Sequence, residues 1–142
     1  MSAPLLTPLR RIHTPNGDVL HGMKASDAGY AGFGEAYFSM VSGGATKGWK
    51  RHFRMTLNLV CIAGAVRFVV HGGAEPLLDA TLSPSSPELY RRLTVPPMFW
   101  VGFRGETSGD NVILNVASIP HDPAEAETVD LSSYPWPCEQ AG

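Results

Sequence analysis

The stretch GGATKGWKRHFRMTLNLVCIAGAVRFVV, residues 43–70, decides the reading of this chain. A Gly-rich turn opens it, and a dense polar cluster follows: Lys47, Trp49, Lys50, Arg51, His52 and Arg54. Two apolar runs come next, Leu57–Ile62 and Ala65–Val70, separated by Ala63-Gly64. The runs are short and β-branched with a glycine between them, which predicts a hairpin. The polar cluster then lies on the strand that enters it. Strand side chains alternate between faces, so Lys50, His52 and Arg54 fall on one face and Trp49, Arg51 and Phe53 on the other. A cation–imidazole–cation row is costly in an apolar core. That row is expected to line a wet cavity or to meet an anion.

Outward from this stretch the same pattern continues. Residues 1–15 are punctuated by proline and read as an extended N-terminal arm, a strand that pairs outside its own sheet, swapped onto another copy. Asn16-Gly17-Asp18 is a turn between Leu9–Ile12 and Val19–Met23. Residues 24–34 read as loop, and Glu35–Val41 alternates as a strand with Glu35, Tyr37 and Ser39 on one face. Beyond Val70, residues 74–87 hold three prolines and read as loop with one short strand. Strands follow at Glu88–Val95, Met98–Phe103 and Val112–Val116. Ala124–Glu127 is one helical turn, and 137–142 is a tail. Eight to ten closely spaced strands without a long helix predict an all-β, single-domain sandwich or barrel.

Bulk composition narrows the function. One domain of 142 residues buries a real core. Fifteen glycines and twelve prolines favour turns over long helices. A net charge of −2 argues against a general nucleic-acid binder, so the basic cluster reads as a site for one small anion. No apolar stretch is long enough to cross a bilayer, and residues 1–15 lack the basic and apolar regions of a secretory signal, which points to the cytoplasm. Cys61 and Cys138 read as free thiols, although a disulfide stays open.

Several motifs in order support a resemblance. They are Gly44 with Lys47-Gly-Trp-Lys-Arg-His52, the Ala63-Gly64 turn, Leu93-Thr-Val-Pro-Pro97-Met-Phe-Trp100, and Asn115 through Ile119-Pro-His-Asp-Pro-Ala-Glu125 to Tyr134-Pro-Trp136. Over residues 16–136 the chain resembles the cupin superfamily, and within it the short dTDP-4-dehydrorhamnose 3,5-epimerase-like, or RmlC-like, branch. The resemblance implies a jelly-roll barrel, a homodimer, and metal-independent action on a nucleotide-linked keto sugar in polysaccharide or deoxysugar biosynthesis. Metal-binding cupins carry His-x-His, a Glu and a later His. Those positions hold Lys50, His52, Leu57 and Val101 here. One imidazole does not make a metal site, so neither metal nor other cofactor is expected. The Arg-Gly-Leu-His run of the epimerases is Lys47-Gly48-Trp49-Lys50, and the position of their catalytic tyrosine falls near Asn115. Their His–Asp dyad and tyrosine are therefore not carried over.

Epimerisation beside a ketone needs a base for the α-proton and a donor for the enolate oxygen. His52 suits the base and Lys50 the donor, while Lys50, crowded by cations in a dry cavity, is the alternative base. Glu35 is placed to orient His52, and Tyr37 to donate a proton or to hold a sugar hydroxyl. Lys47, Arg54 and Arg67 are candidates for a diphosphate. Trp100 is a candidate stacking platform, and Asn58 and Asn115 are candidate cavity amides that need partners if buried. Against these stand blander roles: a core tryptophan, satisfied structural asparagines, a solvated Arg67. His121 reads as a turn cap, and His13, His21 and His71 as surface or loop residues. Two other functions stay open: a non-catalytic sugar- or nucleotide-binding cupin, and a keto-sugar 3,4-isomerase.

Overall fold

The computed structural model describes residues 2–137. Two five-stranded antiparallel sheets face each other around one apolar core. In chain order the strands are β1 (Leu5–Pro8), β2 (Arg11–Ile12), β3 (Val19–Leu20), β4 (Glu35–Val41), β5 (Thr46–His52), β6 (Leu57–Ala63) and β7 (Val66–His71). Then come β8 (Pro76–Leu82), β9 (Arg91–Val95), β10 (Trp100–Gly105), β11 (Asn111–Ala117) and β12 (Ala126–Thr128). The first sheet runs β1-β9-β6-β11-β4 and the second β12-β5-β10-β7-β8, with β2-β3 as a small separate ribbon. This is the jelly-roll architecture that the resemblance implied. Among the described residues there are two short 3-10 turns and no α-helix, and no helix is long and apolar enough to cross a membrane.

The predicted hairpin at Ala63-Gly64 does not form. β6 pairs with β9 and β11 in the first sheet, whereas β7 pairs with β8 and β10 in the second. The Gly64 turn is a corner that carries the chain from one sheet to the other. Gly64 has φ +71, and a Cβ there would lie 2.3 Å from Asn111 Oδ1. Asn111 is the corner post: its Oδ1 accepts from the Ala65 amide at 3.0 Å, and its Nδ2 donates to the Val41 carbonyl at 3.1 Å.

The one strand expected within 74–87 is β8, seven residues long, and the expected turn at 124–127 is a 3-10 turn over Pro123–Glu125 running into β12. The N-terminal arm does form a strand. β1 pairs with β9 of the same chain, Leu6 opposite Leu93.

Inward-facing residues follow the strand period. Leu57, Leu59 and Cys61 of β6, Phe68 and Val70 of β7, and Leu93 and Val95 of β9 share one core with Ile113 of β11. Burial pushes the Cys61 thiol up to about 11, so it behaves as a small apolar group. Cys138 lies outside the described residues. A second cluster sits on the outer face of the second sheet, where Trp49, Val69 and Trp100 are covered by Val129, Leu131, Tyr134 and Trp136 from the closing segment. His71 belongs to it. Far from being a surface residue it is wholly buried, stacked on Tyr134 at 5.5 Å with Nε2 3.0 Å from the Pro135 carbonyl.

Candidate active site

A cavity of about 530 Å³ opens between the two sheets. Its floor is apolar, built from Leu57, Leu59, Phe68, Val101, Phe103 and Ile113. Its polar groups come from both sides: Glu35, Tyr37, Ser39 and Asn115 from β4 and β11, and Lys47, Lys50 and His52 from β5. An apolar cleft with a few convergent polar groups is the usual form of a small-molecule site. The four positions where metal-binding cupins hold ligands converge on it, but Leu57 and Val101 occupy two of them. Among the described residues no group of three or more His, Cys, Asp or Glu is placed to hold a metal ion.

Strand alternation alone would send Lys47 and Lys50 to opposite faces. They share the cavity because the β5–β10 register slips. Val101 pairs with Lys50 and Phe103 with Lys47, so two residues of β5, Gly48 and Trp49, oppose the single Gly102 of β10. The extra residue reverses the phase of the strand, which is what a bulge does. Gly102 leaves the space for this: a Cβ there would lie 2.9 Å from the Trp49 ring. Lys47 Nζ donates to the Met40 carbonyl at 3.1 Å, and Lys50 lines the cavity next to His52.

The partner of His52 is Glu125, not Glu35. His52 and Glu125 are 7% and 3% exposed, and His52 Nδ1 bonds Glu125 Oε1. The second oxygen of Glu125 accepts from the backbone amides of Arg54 (3.1 Å) and Met55 (3.2 Å). Burial alone would raise the Glu125 carboxyl. The His52 hydrogen bond, the Arg54 amide, the His52 charge and the Met55 amide outweigh it, so the group lies below its ordinary value of 4.5. A carboxylate in this setting accepts a hydrogen bond from Nδ1–H, which leaves the unprotonated Nε2 as the nitrogen for the cavity. β12 pairs with β5, Ala126 opposite His52, which carries Glu125 to the imidazole. Glu35 instead accepts from the His121 backbone amide at 2.9 Å, pinning the 119–123 turn at the rim of the cavity. His121 was expected only to cap that turn, but it also lines the cavity.

Across the cavity, Asn115 of β11 pairs in register with Tyr37 of β4. Asn115 Nδ2 donates to the Tyr37 hydroxyl oxygen at 2.9 Å, and Asn115 Oδ1 accepts from the Asn58 amide at 3.0 Å. The amide of β11 and the phenol of β4 thus meet on the same side of the cavity.

Four candidates lie elsewhere. β5 ends at His52, so Arg54 does not continue its row. Its side chain is exposed and faces Asp122 at 3.5 Å. Arg67 is in phase with Val69 and His71 on the outer face of the second sheet. It forms a bidentate pair with Asp79 (2.9 and 2.7 Å) and lies over Trp136. Trp100 is on that outer face too, with Arg51 over its ring at 4.6 Å. The Asn58 side chain points out of the first sheet, accepting from Thr94 Oγ1 at 2.6 Å and donating to the Gly29 carbonyl at 3.0 Å. The residues that sequence reasoning missed were Glu125, the apolar floor of Phe68 and Phe103, and His121. For Glu125 the one available signal was an acidic residue in the segment after the Pro-bounded turn.

No protein-family model and no curated protein matches the chain. Solved structures do. A dTDP sugar isomerase from Desulfovibrio desulfuricans is 31% identical, with a TM-score of 0.84 over 94% of this chain and 89% of that one. The rmlC epimerase of Mycobacterium tuberculosis, at 15% identity, superposes with a TM-score of 0.78 over 95% of this chain and 74% of that one. The sugar 3,4-ketoisomerase QdtA of Thermoanaerobacterium thermosaccharolyticum, solved with TDP, is 21% identical, with a TM-score of 0.74 over 87% and 86%. The last two share the fold. The first is similar enough in sequence over nearly the whole length that the chain belongs to its family, the dTDP-sugar isomerases and epimerases of the RmlC-like cupin fold.

Proposed function

We propose that this protein is a nucleotide-sugar epimerase of the 3,5-epimerase type. It acts beside the ketone of a dTDP-4-keto-6-deoxy sugar, through an enolate and without a metal. The observation that carries this is the pairing of a carboxylate-backed imidazole, His52–Glu125, with a phenol, Tyr37, in one apolar cavity. His52 Nε2 takes the α-proton, and the C–H electron pair passes into the adjacent carbonyl to form the enolate. Lys50 holds the enolate oxygen. Tyr37 returns a proton to carbon. His52 then loses its proton to solvent, and the phenolate regains one. Lys47, exposed where it lines the cavity, supplies positive charge for the diphosphate. Such a substrate places the protein in the cytoplasm, in polysaccharide or deoxysugar biosynthesis.

Proton NMR in heavy water with dTDP-4-keto-6-deoxyglucose tests the reading. Loss of the C3 or C5 proton signal with an epimerised product supports it. Exchange with a carbonyl moved to C3 makes the protein a 3,4-ketoisomerase. A ligand that binds while no proton exchanges makes it a sugar-binding cupin.

The protein is also expected to be a homodimer through the outer face of β4. Phe38 and Met40 there are 64% and 57% exposed on an edge strand. A lone edge strand with large apolar side chains on its outer face is what a second copy covers. Light scattering should show a dimer for the wild type and a monomer for Phe38→Glu, and a wild-type monomer would end this reading.

A further inference from the structure

We infer that Asn115 is a positioning residue that fixes the polarity of the Tyr37 hydroxyl, holding its oxygen as an acceptor from the protein and turning its proton into the cavity. The argument begins with the amide, whose orientation is set by a group that cannot change roles. The Asn58 backbone N–H only donates, and it lies 3.0 Å from one end of the Asn115 side chain, so that end is Oδ1. The other end is therefore Nδ2, which only donates, and it lies 2.9 Å from the phenolic oxygen. Tyr37 Oη accepts there, and its proton points elsewhere.

The Asn58 amide is itself well held. Its side chain is clamped by Thr94 and Gly29 on the far side of the sheet. Asn115 and Asn58 are each 2% exposed, which shields both links from water. The in-register pairing of Asn115 with Tyr37 brings the two side chains together without a long reach. A phenol fixed this way is ready to give its proton to a carbanion, and the N–H left on its oxygen steadies the phenolate that remains. An aspartate at 115 would keep the size of the side chain and reverse the device. With its oxygens as acceptors only, it would draw the phenol proton back into the protein.

The test has two arms. The first needs no substrate. Ultraviolet resonance Raman difference spectra against Tyr37→Phe isolate the tyrosine Fermi doublet of Tyr37, whose intensity ratio distinguishes an accepting from a donating hydroxyl. The wild type should give the acceptor pattern, Asn115→Leu should lose it, and Asn115→Asp should give the donor pattern. An unchanged doublet in both variants overturns the inference, whatever the reaction proves to be. The second arm rests on the epimerase reading and uses deuterium wash-in. Asn115→Asp should lower kcat about 100-fold with KM within about threefold, and Tyr37→Phe with Asn115→Asp should be no slower than Tyr37→Phe alone. Independent, multiplying losses would overturn the catalytic half. A wild type without wash-in would sink the epimerase reading and leave the spectral result standing on its own.

Discussion

Replacing His52 by alanine should slow deuterium incorporation into the keto sugar by ~10²–10⁴-fold, the range that one positioned proton-transfer group supplies, with KM little changed. The base is at stake because His52 lines the cavity with Nδ1 engaged by Glu125 and Nε2 left for the substrate. Glu125→Gln is the finer version. Glutamine keeps the shape but removes the charge that holds the imidazole tautomer, so kcat should fall ~10²-fold or more while folding is kept. A wild-type rate in His52→Ala would transfer the base role to Lys50, and one in Glu125→Gln would show that the imidazole needs no carboxylate behind it. Glu125 also links the site to acid stability. Its carboxyl lies below 4.5 in the folded protein, so the stabilisation is fully present above that pH and is lost as pH falls through the folded-state value. Melting temperature against pH should therefore drop more steeply below pH ~4.5 in wild type than in Glu125→Gln.

The largest loss of stability is expected from Trp49→Ala. Trp49 is fully buried, its indole Nε1 donates to the Leu131 carbonyl at 2.9 Å, and its backbone exchanges two 3.0 Å hydrogen bonds with Val129. Its ring also meets His71, Tyr134 and Trp136. Removing a buried aromatic side chain costs about 3–5 kcal/mol. In a chain of this size that lowers the melting temperature by roughly 10 °C. Calorimetry measures it directly, and a change of a degree or two would mean that the closing segment is held by its backbone pairing alone. Because the indole grips the segment that follows β12, the variant should also lose activity well below its melting point.

Much of the fold could be read from local pattern, and the limits of that reading are physical. Alternation in Glu35–Val41 correctly separated Glu35, Tyr37 and Ser39 from Phe38 and Met40. Alternation says that a strand exists and which residues share a face, but it does not name the neighbouring strand. The two runs flanking Gly64 therefore looked like a hairpin and proved to belong to different sheets. The same blindness applied to Arg67, whose face was legible in principle from its phase with Val69 and His71, while its partner Asp79 on β8 was not. Lys47 reached the cavity only through a bulge, a one-residue event that leaves the period on either side intact. Glu125 lies 73 residues from His52, and no periodic signal spans that distance. The candidate site was thus half visible: side chains within a strand could be grouped, and those that meet across the barrel could not.

The route by which Glu125 reaches His52 has a bearing on how the protein is made. A ribosome delivers β5 well before β12, and a growing chain folds what it already has. Until residues 125–128 emerge, the imidazole has no carboxylate behind it and the β5 edge of the second sheet has no neighbour. Proton-transfer chemistry is thus acquired only after β1 to β11 of the barrel that will contain it have been synthesised. A chain cut short of this segment would keep the cavity floor and lose the polarised base.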